Sequence, residues 1–388
     1  MSPEMDPTPC HIGINAHLLA NSASYRRAGI HQYIAQVLRN LPSENSSTGN
    51  GRFHYDIYTQ HTAKWLQRPD FTLHHSHWPT TKRSTRILWE QTAWPWHARQ
   101  QKNDLLHSMA FVTPVLTNIP SVVTVYDLSF MHYPESFPIL QCKYLRSQTA
   151  RSCQQAQRVI TISESTRQDV HTFFGVPLKQ IDVVLPGVEN MYRPLPAEQI
   201  SAFRAQENLP EKFLLHVGTL QPRKNIPILL DALAQLKRPD LHLVLVGGKG
   251  WLYAEIFARV QTLGLENQVR FTDYVADEML PFWYNAATVL LFPSFYEGFG
   301  MPVVEALACG TPVIASQASS IPEAGGNAAH YFAPDDPAAL AKHVENIVDT
   351  PEITAKMCAK GLEQAAQFSW GRAGRETAVV YQRALAQT

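Results

Sequence analysis

The sequence predicts an α/β protein built from two doubly wound, Rossmann-like domains, and three features lead to that fold class. Valine-rich runs such as SVVTVYD, LHLVLVGG and TVLLFPS are nearly continuously apolar, as in parallel strands buried on both faces. Helix-like stretches separate them: at 30–41, Ile30, Tyr33, Ile34, Val37, Leu38 and Leu41 share one face. The alternation restarts once, after the proline-rich segment LPGVENMYRPLPAEQ at 185–199. Repeated βα alternation implies parallel sheets covered by helices.

Taken in order, strands are expected at 11–16, 54–59, 104–108, 121–126, 158–163 and 181–185. In the second half they are expected at 213–217, 242–246, 269–272, 288–292, 312–315 and 330–332. The polar segment SENSSTGNGR (43–52) is expected to be a flexible surface loop. The proline-rich linker divides the chain into a domain at 1–190 and a second at 191–369. Open parallel sheets bind ligands beyond the carboxyl ends of their strands, so both domains are expected to aim loops into a common cleft.

Composition removes several classes. Lys plus Arg equals Asp plus Glu at 33 each in 388 residues, which argues against a dedicated nucleic-acid binder. Residues 1–190 are net +4 and residues 191–388 net −4. That is either ordinary scatter or an N-terminal half that favours anionic surfaces. Cys10, Cys142, Cys153, Cys309 and Cys358 are scattered, with no CxxC, so neither a disulfide framework nor a zinc site is expected. The start, MSPEMDPTPC, has no basic segment followed by an apolar run, and no stretch approaches a membrane span. A cytoplasmic protein is expected, with peripheral contact to the inner membrane face left open.

Two segments carry chemistry. In SFYEGFGMPVVEALACGTPVIAS (294–316) a buried strand enters a glycine-bearing loop and then a helix starting near Pro302. Gly298 and Gly300 allow close backbone approach, and the N–H groups of the helix start favour an anion such as pyrophosphate. Glu297 in the loop and Glu305 in the expected first helical turn are placed to accept from sugar or ribose hydroxyls. A surface loop with a dipole-stabilised glutamate is the competing reading. In HVGTLQPRKNIPILLDALAQL (216–236), Arg223 and Lys224 stand between a strand and a helix. They form a natural diphosphate site or, taken alone, a solvated turn.

Together these segments resemble the retaining glycosyltransferases of family 4, which have the GT-B fold. The likeness extends through AGIHQYI (28–34), SVVTVYDLSFMHYPESFP (121–138), VITISESTRQDV (159–170), LVLVGGKGW (243–251) and the run 271–307. Its flavour is the mannosyltransferase-B-like branch of O-antigen and exopolysaccharide assembly. The resemblance implies that Arg223 and Lys224 neutralise a donor diphosphate and that Glu297 holds hydroxyls of the transferred sugar. Phe299, Gly300 and Met301 would offer backbone N–H groups, Glu305 would bind the ribose diol, and Tyr274 and Val275 would flank the base. Gly218 and Gly248 would line the donor pocket, and Gly29 would approach the phosphates. It also implies that the last segment, 370–388, forms a helix that crosses back to the N-terminal domain. The nucleotide sugar is a co-substrate; no cofactor and no metal are expected, and a glycan or lipid-linked acceptor is the second partner.

One position departs from the family pattern. Relatives commonly carry His-Asp where this chain has Tyr126 and Asp127. Either Tyr126 takes over a contact to the donor sugar, or Asp127 and other groups suffice, or activity is altered. The alternatives to mannosyl transfer from GDP-mannose are a UDP-dependent glucosyl- or N-acetylglucosaminyltransferase and a non-catalytic nucleotide-sugar binder. His74, His75 and His77, read as lying on a loop, do not have the spacing of a structural zinc site. The absence of Asp-x-Asp agrees with a site neutralised by Arg223 and Lys224. Gly247, Gly248 and Gly250 do not complete a dinucleotide fingerprint, and Asp127 with Glu164 does not make a persuasive acid/base pair.

Overall fold

The computed structural model describes residues 9–19, 29–43, 53–80, 82–250 and 253–387. The expectations for the chain start and, from residue 44, for the polar segment 43–52 lie outside the described residues. The chain divides into two units, Met1–Gly187 with Trp370–Thr388, and Val188–Ser369.

The first unit holds β1 (Cys10–Asn15), β2 (Phe53–Thr59), β3 (Phe71–His75), β4 (Leu105–Ser108), β5 (Ser121–Val125), β6 (Arg158–Thr161) and β7 (Ile181–Val183). They form one sheet in the order β3-β2-β1-β4-β5-β6-β7, with every pairing parallel. The second unit holds β8 (Lys212–Val217), β9 (Leu241–Val246), β10 (Val269–Phe271), β11 (Val289–Phe292), β12 (Val313–Ser316) and β13 (His330–Phe332). Its order, β10-β9-β8-β11-β12-β13, is again parallel throughout. Central strands such as β5 and β11 are buried along their whole length, which accounts for their near-continuous apolar sequence.

Each of the twelve expected strands is present, with ends displaced by no more than two residues. The thirteenth, β3, was not foreseen. It lies at the sheet edge with only Phe71 buried, so the sequence FTLHH shows little of the apolar signal a central strand carries. His74 and His75 therefore belong to a strand and not to a loop, which corrects that expectation.

Helix Trp370–Leu385 packs within the first unit. A Cβ at Gly374 would lie 2.0 Å from the Asn40 carbonyl oxygen, so glycine lets this helix meet the end of helix Ile30–Asn40. The Tyr381 hydroxyl bonds to His107 Nδ1 at 2.7 Å, and Arg383 pairs with Asp182 at 2.5 Å. In the second unit, Leu229, Leu233, Leu340 and Val344 pack in a core with Leu243 and Ile314.

In both sheets the chain builds outward from one strand in one direction and then returns to build in the other. The reversals fall between β1 and β4 and between β8 and β11. Loops beyond the carboxyl ends of such strand pairs are where open α/β sheets bind ligands.

Candidate active site

The candidate site of the second unit lies at its β8/β11 reversal. β8 leads into a short 3-10 turn, Pro222–Lys224, before helix Ile226–Leu236. Asn225 closes that turn with φ +52° and donates through Nδ2 to the Pro334 carbonyl at 2.7 Å. The turn is thereby pinned, and Arg223 and Lys224 are presented from it.

The loop after β11 meets them. Lys224 Nζ lies 2.5 Å from Glu297 Oε1, and Arg223 Nη1 lies 2.9 Å from Glu297 Oε2. Arg223 also donates to the Tyr296 carbonyl, and its own carbonyl accepts from the Phe295 N–H at 3.0 Å. Burial by itself would raise the Glu297 carboxyl, but the Lys224 and Arg223 cations outweigh it and hold the pKa down to about 2. The three side chains are 11–19% exposed, so a polar ligand can still reach them.

Three serines that the sequence reading did not single out fix the same loop. The Glu297 N–H donates to Ser319 Oγ at 2.8 Å, and the Ser320 hydroxyl donates to the Glu297 carbonyl at 2.8 Å. The Ser316 hydroxyl donates to the Ser294 carbonyl at 2.5 Å. Their signal was the run SQASS directly after a strand, where short hydroxyl side chains satisfy loop backbone groups. His216, fully buried on β8, bonds through Nδ1 to the Leu291 carbonyl at 3.1 Å. Burial lowers its pKa to about 4, and the neighbouring Lys224 adds to that, so it is a neutral floor beneath the cations.

Gly300, at φ +114°, caps helix Met301–Ala308, with Pro302 in its first turn. Phe299 is buried with its ring against Phe368, at 5.4 Å between centroids, so only its backbone can serve a ligand. Because the helix begins at Met301, Glu305 falls in the second turn and not the first. Its Oε2 accepts from the Tyr284 hydroxyl at 2.7 Å. Burial raises its pKa to about 7, while the Tyr284 bond opposes the rise.

Two further loops are joined to this site by backbone. Gly218 N–H donates to the Val246 carbonyl, Leu220 N–H to the Gly248 carbonyl, and Gly250 N–H to the Leu220 carbonyl, at 2.9–3.0 Å. A Cβ at Gly247 would fall 2.1 Å from the Gly218 carbonyl oxygen. Gly248 faces open space, and Tyr274, next to Val275 on the segment after β10, is 47% exposed.

The remaining expected site residues belong to the first unit. Gly29, at φ +73°, caps helix Ile30–Asn40 and faces open space. Asp127 accepts the Ser129 N–H at 2.8 Å. Tyr126 is buried against Tyr33 and Phe111, and its hydroxyl donates to the Met109 carbonyl at 2.6 Å. It therefore stands as a packed core residue with its one donor already used.

Among the described residues, His11, His54 and Asp56 bring possible metal-ligand atoms within 4.8 Å of one another. Asp56 already accepts from His11 at 3.1 Å, His74 at 2.7 Å and Asn103 at 2.7 Å. No helix among the described residues is long and apolar enough to cross a membrane.

Two family descriptions match the chain: glycosyltransferase family 4 over residues 28–190 and glycosyl transferases group 1 over residues 198–364. The O-antigen chain mannosyltransferase B of Escherichia coli is 32% identical over 290 residues, covering 74% of this chain and 76% of that protein. The D-inositol 3-phosphate glycosyltransferase of Streptomyces scabiei is 34% identical over 244 residues, covering 59% of this chain and 54% of that protein. The chain thus spans about half the length of that second relative. Sucrose-phosphate synthase from Thermosynechococcus elongatus superposes with a TM-score of 0.75 at 23% identity, covering 98% of this chain and 100% of the other. With two parallel Rossmann-like sheets and matches running through both units, the chain belongs to the family 4 glycosyltransferases, retaining enzymes of the GT-B fold.

Proposed function

We propose that the protein transfers mannose from GDP-mannose, with retention, onto a glycan or lipid-linked acceptor in cell-surface polysaccharide synthesis. The observation that carries this reading is the joining of Arg223, Lys224 and Glu297 at the β8/β11 reversal. The mannosyl donor is favoured by the likeness to mannosyltransferase B.

In this reading Arg223, Lys224 and the start of helix Met301–Ala308 stabilise the charge that grows on the leaving diphosphate. Glu297 exchanges part of its pairing with the two cations for hydroxyls of the transferred sugar. Gly218, Gly248, Gly298 and the backbone N–H groups of Phe299, Gly300 and Met301 line the phosphate and sugar positions. Glu305 takes the ribose diol, and Tyr274 and Val275 lie along the base. The acceptor hydroxyl attacks from the face of the departing diphosphate, one of whose oxygens accepts the proton, so no enzymic nucleophile is required. The two cations do the work that a divalent ion does elsewhere, and activity is expected to survive chelation by EDTA. The first unit selects the acceptor.

A thermal-shift series with GDP-mannose, UDP-glucose, UDP-N-acetylglucosamine and ADP-glucose tests the donor. GDP-mannose is expected to raise the melting temperature most; a larger rise with a UDP-sugar would move the assignment to a UDP-dependent transferase. A second reading, a nucleotide-sugar binder without turnover, draws on Tyr126, whose hydroxyl is bonded to the Met109 carbonyl. Donor binding with no sugar transfer to any of a broad acceptor set would favour it.

A further inference from the structure

We propose that His11, His54 and Asp56 bind a divalent transition-metal ion, with zinc as the fitting occupant, at the amino ends of β1 and β2. Sequence spacing does not show this site, since 45 positions separate His11 from Asp56. It lies in the first unit, whereas Arg223, Lys224 and Glu297 lie in the second, so it does not depend on which donor the protein uses.

Strand register builds the cluster. His11 on β1 and His54 on β2 are direct partners in a parallel pair. Asp56 follows His54 by two residues, so the three side chains stand on one face. The two imidazole centroids are 5.0 Å apart, and His11 Nδ1 lies 3.1 Å from Asp56 Oδ2. One ligating atom from each of the three residues falls within 4.8 Å of the others. Tetrahedral zinc with bonds of about 2.0–2.1 Å keeps its ligand atoms roughly 3.3 Å apart. The His11–Asp56 edge is already close to that length, and the His54 edges need only a small rotation of a partly exposed ring.

The surroundings suit a ligand set. Asp56 is buried, and among the described residues it pairs with no lysine or arginine; its partners are His11, His74 and Asn103. A buried carboxylate met by imidazoles and an amide carries a charge that no fixed cation answers, and a divalent ion would answer it. His74 Nε2 and Asn103 Nδ2, each 2.7 Å away, orient the carboxylate. Thr72 Oγ1 holds the His54 ring through Nε2 at 2.7 Å. Such outer contacts fix the direction of metal ligands. The His11 N–H donates to Asp104 Oδ2 at 2.8 Å, which brings a second carboxylate near. The His11 side chain is 39% exposed, so an ion can enter from solvent and keep a water as its fourth ligand.

Ligand chemistry names the ion. Two imidazoles and a carboxylate suit zinc and its first-row neighbours, whereas magnesium and calcium take oxygen sets. An ion here joins the starts of β1 and β2 and, through the pairing of Asp56 with His74, braces the edge strand β3. The cluster stands at the amino ends of these strands, away from the carboxyl ends where an open sheet takes its substrates. Its role is to hold the edge of the first sheet, and sugar transfer needs no ion there.

Calorimetric titration of zinc sulfate into the full chain, stripped with EDTA and desalted, tests the site. Zinc is expected to bind as a single equivalent and, at a hundredfold excess over Kd, to raise the melting temperature by about 5 °C; magnesium should do neither. His11→Gln and His54→Gln are each expected to weaken zinc about tenfold or more. His75→Gln, on the opposite face of β3, should leave binding unchanged. Absence of a one-equivalent site, equal zinc affinity in the wild type and both variants, or an equal loss in His75→Gln overturns the proposal. Melting of each variant without metal is recorded first. If either melts early, cobalt(II) added to the wild type decides: the strong visible bands of a four-coordinate ion support the site, and the weak bands of a hexaaquo ion overturn it.

Discussion

Glu297 between Lys224 and Arg223 is the centre of the candidate site, because the carboxylate is ionised by its neighbours and the cations are neutralised by it. Glu305 behaves in the opposite way, with burial raising its pKa to about 7. The folded state therefore binds its proton more tightly than the unfolded chain does. This contribution to stability is full below the ordinary glutamate range near pH 4.5 and is lost as pH rises through about 7. In its proposed role as a hydroxyl acceptor Glu305 would work best ionised, so donor KM is expected to fall between about pH 6 and 8. Glu305→Gln should flatten that dependence and raise KM about tenfold; an unchanged KM–pH profile in the variant would separate Glu305 from the donor. Arg223, Lys224 and Glu297 were legible in the sequence because a charged pair after one strand and a glutamate in a glycine loop after another are local patterns. Ser316, Ser319, Ser320 and His216 were not, because their partners are set by the fold. Tyr126 was noticed only as a departure, and its packing against Tyr33 joins residues 93 positions apart.

At the scale of elements, the loops after β8 and β9 interlock through glycine. Gly247 adopts φ +146° and leaves no space for a Cβ beside the Gly218 carbonyl. Gly247→Ala is expected to destabilise the second unit by about 2 kcal/mol or more and to weaken donor binding with it; chemical denaturation reads the first effect, and a wild-type midpoint would contradict it. Central strands such as β5 and β11 were legible because strands buried on both faces advertise themselves by composition. β3 was hidden because an edge strand with His74 and His75 on it carries mixed polarity, and its partner is identified only by register with β2.

The whole chain is organised by two sheets and by a final helix that belongs to the first unit though it follows the second in sequence. His107 shows how closely that helix is fitted: fully buried, it bonds to Tyr381 and Thr124, and burial lowers its pKa to about 3. Deleting residues 370–388 is expected to uncover Tyr33, whose ring packs on Trp370, and neighbouring apolar surface and to make the first unit aggregate, as size-exclusion chromatography would show; a monomeric, cooperatively melting truncation would contradict this. The sequence made the division into two βα series visible through the restart after 185–199, but the return of the last helix was known only from the family resemblance. The central claim is that the cations after β8 hold a nucleotide-diphosphate sugar. Calorimetric titration of GDP-mannose into the wild-type chain and into Lys224→Ala tests it most directly. Binding by the wild type is expected, with a loss of about a hundredfold in the variant beside a lowered melting temperature, because Glu297 loses a covered partner; equal affinity in the two proteins would contradict it.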